Sequence, residues 1–125
     1  MDVLLIGIGG FFGAVSRYLV DGWVSGSTKT GAFPIGTFVI NLSGAFFLGV
    51  LFALTLEKAA LDVRVRGPLM IGFIGAYTTF STLMLESWRL GEDGSWGLAL
   101  LNLGLSGVLG MIAVFAGLTL GRALG

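Results

Sequence analysis

The chain has no cysteine and no histidine among its 125 residues. Disulfide bridges, thiolate nucleophiles, imidazole catalysis and the common zinc sites are therefore excluded. Charge is scarce too. Seven basic and seven acidic residues give a formal net charge of zero, with neither a basic stripe for nucleic acid nor an acidic tail. No pair of carboxylates, nucleophile with base, glycine-rich phosphate loop or metal-ligand cluster can be assembled from what remains. The chain is not expected to be an enzyme.

Apolar residues and glycine are abundant instead. Hydrophobic residues make up 55% of the chain and charged ones 11%, the mean hydropathy is +0.97, and there are 22 glycines. Those values lie outside the range of soluble domains and describe an all-α integral membrane protein. Four apolar segments, each of the roughly 20 residues that a bilayer requires, lie at about 3–23, 35–56, 68–90 and 96–121. They fill nearly all of a single domain, 1–125. Residues 1–18 are apolar, with an acid at position 2 and no basic lead-in, and read as the first membrane helix rather than a cleaved signal peptide.

Trp23, Trp88 and Trp96 fall at segment ends, where amphipathic rings sit at headgroup level. The side holding both termini and the second connection carries Lys58, Arg64, Arg66 and Arg122, against Lys29 and Arg89 on the other. So weak a bias allows insertion in both orientations, and one subunit of four helices encloses little pore by itself. An oligomer, antiparallel in arrangement, is the expectation. Gly9 with Gly13, and Gly117 with Gly121, have the spacing that lets helix backbones approach, and Ser106 with Gly110 forms a looser version.

The third segment holds the stretch Gly72-Phe73-Ile74-Gly75-Ala76-Tyr77-Thr78-Thr79-Phe80-Ser81-Thr82. Thr78, Thr79, Ser81 and Thr82 put four hydroxyls at its centre, and Gly72 and Gly75 just before them invite a break in the helix. In the second segment Thr37, Asn41, Gly44 and Leu48 share a helical face; in the fourth, Asn102, Ser106 and Gly110 form a short stripe that ends at Val114. Each of these groups also reads as glue between helices. Arg17 reads as a snorkelling anchor or a ligand, and Glu86 as a pore-mouth or pairing residue.

A small anion must have its water replaced by donors when it enters a bilayer, at an idealised cost of order 20 kcal/mol for a carboxylate-sized ion. Hydroxyls and an asparagine amide are such donors, and the positive edge of a phenyl ring is a weaker one. A cation route would more naturally use carboxylate rings. The lining leans toward a small anion, although hydroxyls can also present lone pairs.

Three segments, in order, resemble the small bacterial fluoride channels of the Fluc (CrcB) family. The first is Gly9-Gly10-Phe11-Phe12-Gly13-Ala14-Val15-Ser16-Arg17-Tyr18; the second carries Gly36, Thr37, Asn41, Gly44, Phe46 and Gly49; the third is the 72–82 run, similar to the family's broken-helix motif. The resemblance covers nearly the whole chain. It implies a passive, fluoride-selective channel in the inner (cytoplasmic) membrane, built as an antiparallel homodimer with two pores. It further implies a third helix broken at mid-membrane and a structural Na⁺ at the dimer axis, held by the carbonyls of Gly75 and Thr78. Asn41 would orient the pore-lining ring of Phe80, with Thr79, Ser81, Thr82, Asn102 and Ser106 along the fluoride path and Arg17 and Glu86 at the vestibule. The chain departs from the motif at Leu83, which stands where the family usually has a second pore phenylalanine.

Two other functions compete. A small dual-topology, proton-coupled multidrug exporter has a similar size but needs an intramembrane carboxylate, and the first helix offers only Asp2 and Asp21, both near its ends. A non-transporting membrane assembly protein would leave the three polar faces unexplained.

Overall fold

The structure, a computed structural model, describes residues 2–27 and 31–125. Lys29, counted in the orientation bias, lies outside them. The described residues form no strand, and four helices are long and apolar enough to cross a membrane: Val3–Ser27, Ile35–Glu57, Val63–Glu92 and Trp96–Leu124. They correspond to the four apolar segments and make this a multi-pass membrane protein.

The largest departures from the sequence reading are at two helix ends, the fourth helix also running three residues further, to Leu124. The first helix continues through Val24–Ser27, in a stretch whose glycine and serine suggested a loop. No proline stops it before Pro34, and a glycine inside a helix costs only about 1 kcal/mol. The third helix starts at Val63 rather than near Pro68, because Asp62 caps it by accepting the Arg64 N–H at 2.9 Å. That bond, followed by the Arg64 guanidinium, holds the Asp62 carboxyl below the usual carboxylate range. Residues Ala53–Glu57 and Arg66–Ile74 are wound in the wide π form, a local adjustment seen mostly in single turns.

Glycine decides which helices touch. A methyl at Gly9 or Gly13 would run into the carbonyls of Pro68 and Phe73, and one at Gly72 into the backbone at Ile6, so the first and third helices meet backbone to backbone. The second and fourth do the same where Gly117 faces the Phe46 carbonyl and Gly49 the backbone at Val114. Arg122 closes this pair with a two-point bridge to Glu57 at 2.7 and 3.0 Å. Gly104, Gly107 and Gly110 meet no side chain or neighbouring backbone within 4 Å, and Val108, Met111 and Phe115 are exposed. Ser106 and Gly110 therefore do not form a seam within the subunit in the way the other glycine pairs do.

Candidate functional site: the broken third helix and its cleft

The third helix keeps helical geometry to Tyr77, passes through two extended residues, and resumes at Phe80. Thr78 has φ −81° and ψ 158°, and Thr79 has φ −149° and ψ 115°. An interruption of this kind strands backbone donors and acceptors that have no water to turn to in hydrocarbon. Neighbouring side chains take them up. Asn41 on the second helix accepts the Thr79 N–H at 2.9 Å through Oδ1 and donates from Nδ2 to the Thr79 carbonyl at 3.1 Å. Arg17 on the first helix donates from Nε to the Ala76 carbonyl at 3.1 Å, a cation at the C-terminal end of the leading half-helix. Thr79 caps the restart: its hydroxyl oxygen accepts the Thr82 N–H at 3.2 Å while its O–H donates to Thr82 Oγ1 at 3.0 Å.

These substitutions have a second effect. In an unbroken helix the Thr79 N–H would serve the Gly75 carbonyl and the Thr82 N–H that of Thr78. Both donors are turned elsewhere, to Asn41 and to the Thr79 hydroxyl, which releases the two carbonyls from their helical bonds.

The second helix shapes the break at two more points. A methyl at Gly44 would collide with the Thr78 methyl group, so only glycine admits that side chain. Ser43 and Tyr77 share a hydrogen bond of 2.9 Å between hydroxyls, and Ser43 Oγ also reaches the Ile40 carbonyl at 3.1 Å. The Tyr77 ring is buried and stacked on Phe73.

Beside the break lies a cleft of about 500 Å³, bordered by Asn41, Thr78, Thr79, Phe80, Leu83 and Ser106. Phe80 is 74% exposed within the subunit, so its ring stands at the edge of the cleft rather than in a core. Ser106 Oγ is buried and has no hydrogen-bond partner among the described residues. The other candidates are distributed around this centre. Arg17 and Thr82 border a smaller cavity of about 280 Å³ together with Asp21 and Thr37, and Thr79 is common to both. Ser81 borders a third, apolar space with Leu85 and Trp88. Asn102 is 1% exposed and donates to Ser87 Oγ at 2.9 Å, with its Oδ1 unpartnered. Glu86 is half-buried with Oε1 unpartnered, and its polar surroundings include Thr37 and Asp21.

The sequence reading gave no role to Ser43, Tyr77 or Met84, the last of which also borders the main cleft, and weighed Asp21 only as a carboxylate near a helix end. Ser43 and Tyr77 were visible as polar groups within the two motifs, but no spacing rule pairs residues 34 positions apart.

The sequence is similar to those of several named proteins. It is 41% identical over 121 residues to a protein of Maridesulfovibrio salexigens named "Fluoride-specific ion channel FluC", covering 97% of this chain and 95% of the relative. Proteins of the same name from Magnetococcus marinus and Acidobacterium capsulatum are 39% and 42% identical, each over 99% of this chain and over 100% and 98% of their own lengths. The family profile described as "CrcB-like protein, Camphor Resistance (CrcB)" matches residues 4–118. With the profile matched over residues 4–118 and these relatives aligned over nearly its whole length, the chain that carries this broken helix belongs to the CrcB family.

Proposed function

We propose that this chain is the subunit of a fluoride-selective ion channel that lets cytoplasmic fluoride leave passively across the inner membrane. The observation that carries this reading is the two-point hold of Asn41 on Thr79, which fixes the break and sets Phe80 at the mouth of a cleft bordered by hydroxyls. Its chemistry suits an anion that must exchange water for donors. One N–H of Asn41 Nδ2 is committed to Thr79 and the other is available; the Ser106 hydroxyl has no protein partner; Phe80 offers a ring edge. Among the described residues no carboxylate borders this cleft, so it lacks the ring of acids that would favour a cation pore of that kind.

The working unit on this reading is an antiparallel homodimer with two pores. The subunit's main cleft is open on one side, and the exposed Phe80, Met111 and Phe115 are apolar surfaces that lipid or a second subunit would cover. Gly75 and Thr78 fit a sodium ion by donor chemistry, since unwound main-chain carbonyls freed from helical bonds are neutral oxygen ligands. A cation bound there would supply positive charge between the broken helices of the two subunits. Arg17 and Glu86 would line the approach, with Thr82 beyond them.

Purified protein in liposomes is expected to release fluoride far faster than chloride, without a proton gradient. Equal fluxes of the two anions, or a strict requirement for a proton gradient, would overturn the channel reading.

A further inference from the structure

Away from the main cleft, a pocket of about 410 Å³ opens where the start of the first helix meets the start of the third. Asp2, Leu5, Val63, Arg64, Arg66 and Pro68 border it. None of them has a part in the break. Pro68, one of its border residues, is also where the backbone of the first helix comes closest, at Gly9.

The charges at this pocket are arranged unusually. Arg64 is occupied by Asp62, through NH2 to Oδ2 at 3.0 Å and Nε to Oδ1 at 3.3 Å. Asp2 accepts the Leu4 N–H at 2.9 Å through Oδ1, which leaves its second oxygen uncommitted. Asp2 and Arg66 border the same space, yet neither belongs to an ion pair among the described residues. Opposite charges that share a pocket without pairing suit a ligand that carries both signs. The remaining border is apolar, with Leu5 46% and Val63 56% exposed, and it lies at the end of two membrane-spanning helices.

We infer that this pocket holds the headgroup of a phospholipid bearing a primary ammonium, with its phosphate on Arg66, its ammonium on Asp2 and its apolar part along Leu5 and Val63. Pockets between helices at this depth are known places for headgroups, and a guanidinium is the side chain best matched to a phosphate. The carboxylate supplies the selectivity. A primary ammonium brings three N–H donors to Asp2, whereas the trimethylammonium of a choline lipid brings none. A purely anionic headgroup would set a second negative charge against Asp2, with Asp62 close by on Arg64.

The test uses the purified full-length protein and native mass spectrometry with phosphatidylethanolamine, phosphatidylcholine and phosphatidylglycerol of identical acyl chains. Phosphatidylethanolamine is expected to be retained about tenfold better than phosphatidylcholine, the ratio given by one charge-assisted hydrogen bond of about 1.4 kcal/mol. Asp2→Asn, which keeps a good helix-capping oxygen, is expected to bring that ratio close to one without abolishing retention. Arg66→Gln is expected to weaken both lipids together. Equal retention of the two lipids by the unaltered protein, a preference for phosphatidylglycerol, or an unchanged ratio in Asp2→Asn would overturn the inference. Competition by soluble phosphoethanolamine as effective as that by the whole lipid would overturn the lipid as the source of the headgroup. None of these outcomes depends on ion flux.

Discussion

Asn41 and Thr79 are joined at both ends of one side-chain amide, 2.9 Å from the Thr79 N–H to Oδ1 and 3.1 Å from Nδ2 to the Thr79 carbonyl. The amide does for an extended residue what a neighbouring strand would do in a sheet, and so makes a helix break tolerable in a membrane protein.

Asn41→Asp is the sharpest test of this pairing. The variant keeps an acceptor for the Thr79 N–H but replaces the Nδ2 donor with an oxygen that faces the Thr79 carbonyl. Fluoride efflux from liposomes is expected to fall about tenfold or more, equivalent to about 1.4 kcal/mol on the barrier. Size-exclusion chromatography should still show assembled protein. Unchanged efflux from assembled Asn41→Asp would put the pore elsewhere.

Phe80 and Leu83 border one cleft, and they separate the role of a ring from that of mere bulk. Phe80→Ile preserves an apolar side chain but removes the ring edge, at a position whose exposure means that little subunit packing is lost. Efflux should drop strongly while the amount of folded protein does not change. Leu83→Phe adds a second ring and is expected to raise fluoride throughput above that of the unaltered chain. A faster Phe80→Ile together with a slower Leu83→Phe would mean that aromatic edges hinder the ion.

Hydropathy alone made the four helices legible, because a bilayer demands long apolar runs and little else in the chain competes with that pattern. The break was legible in its neighbourhood rather than at its residues: Gly72 and Gly75, expected to invite it, remain helical, and the chain leaves the helix at Thr78 and Thr79, whose side chains offer local hydrogen-bonding groups. The partners were harder to see. Arg17 read as a snorkelling anchor or a ligand, and by resemblance as a vestibule residue, but its partner, the Ala76 carbonyl 59 residues along the chain, was not visible. Asn102 and Ser106, four apart, read as one stripe. The structure ties the Asn102 amide to Ser87 in a buried contact and leaves only Ser106 of the two at the main cleft. Helical spacing gives the direction of a side chain but not the identity of the neighbour it meets. The wide turns at Ala53–Glu57 and Arg66–Ile74 had no sequence signal at all, since packing can select them without a distinctive residue.

Tyr77→Phe isolates the other tether of the break. The substitution removes one hydroxyl and keeps the ring that stacks on Phe73, and Ser43 retains its bond to the Ile40 carbonyl. The expected cost is about 1 kcal/mol, the usual net value of a hydrogen bond, read as a lower thermal midpoint in detergent. Ser43→Ala should cost a similar amount, and the double variant less than the sum of the two. Strict additivity would show that the 2.9 Å contact contributes nothing.

Gly117→Ala and Gly110→Ala add the same methyl group to the same helix, and the structure gives them opposite outcomes. At Gly117 the methyl meets the Phe46 carbonyl, a backbone atom that a rotamer change cannot move, so the second and fourth helices must separate. Overpacking of this kind costs about 1–3 kcal/mol, and Gly117→Ala should unfold at a correspondingly lower temperature. At Gly110 the methyl meets nothing within 4 Å in the subunit and should leave its unfolding unchanged. If a second subunit covers this part of the fourth helix, Gly110→Ala should instead weaken association, measured as a larger monomer fraction on dilution in detergent or lipid. A Gly110→Ala protein with unaltered unfolding and unaltered association would place the partner on another face, while a stable Gly117→Ala would mean that the two helices do not meet through glycine at all.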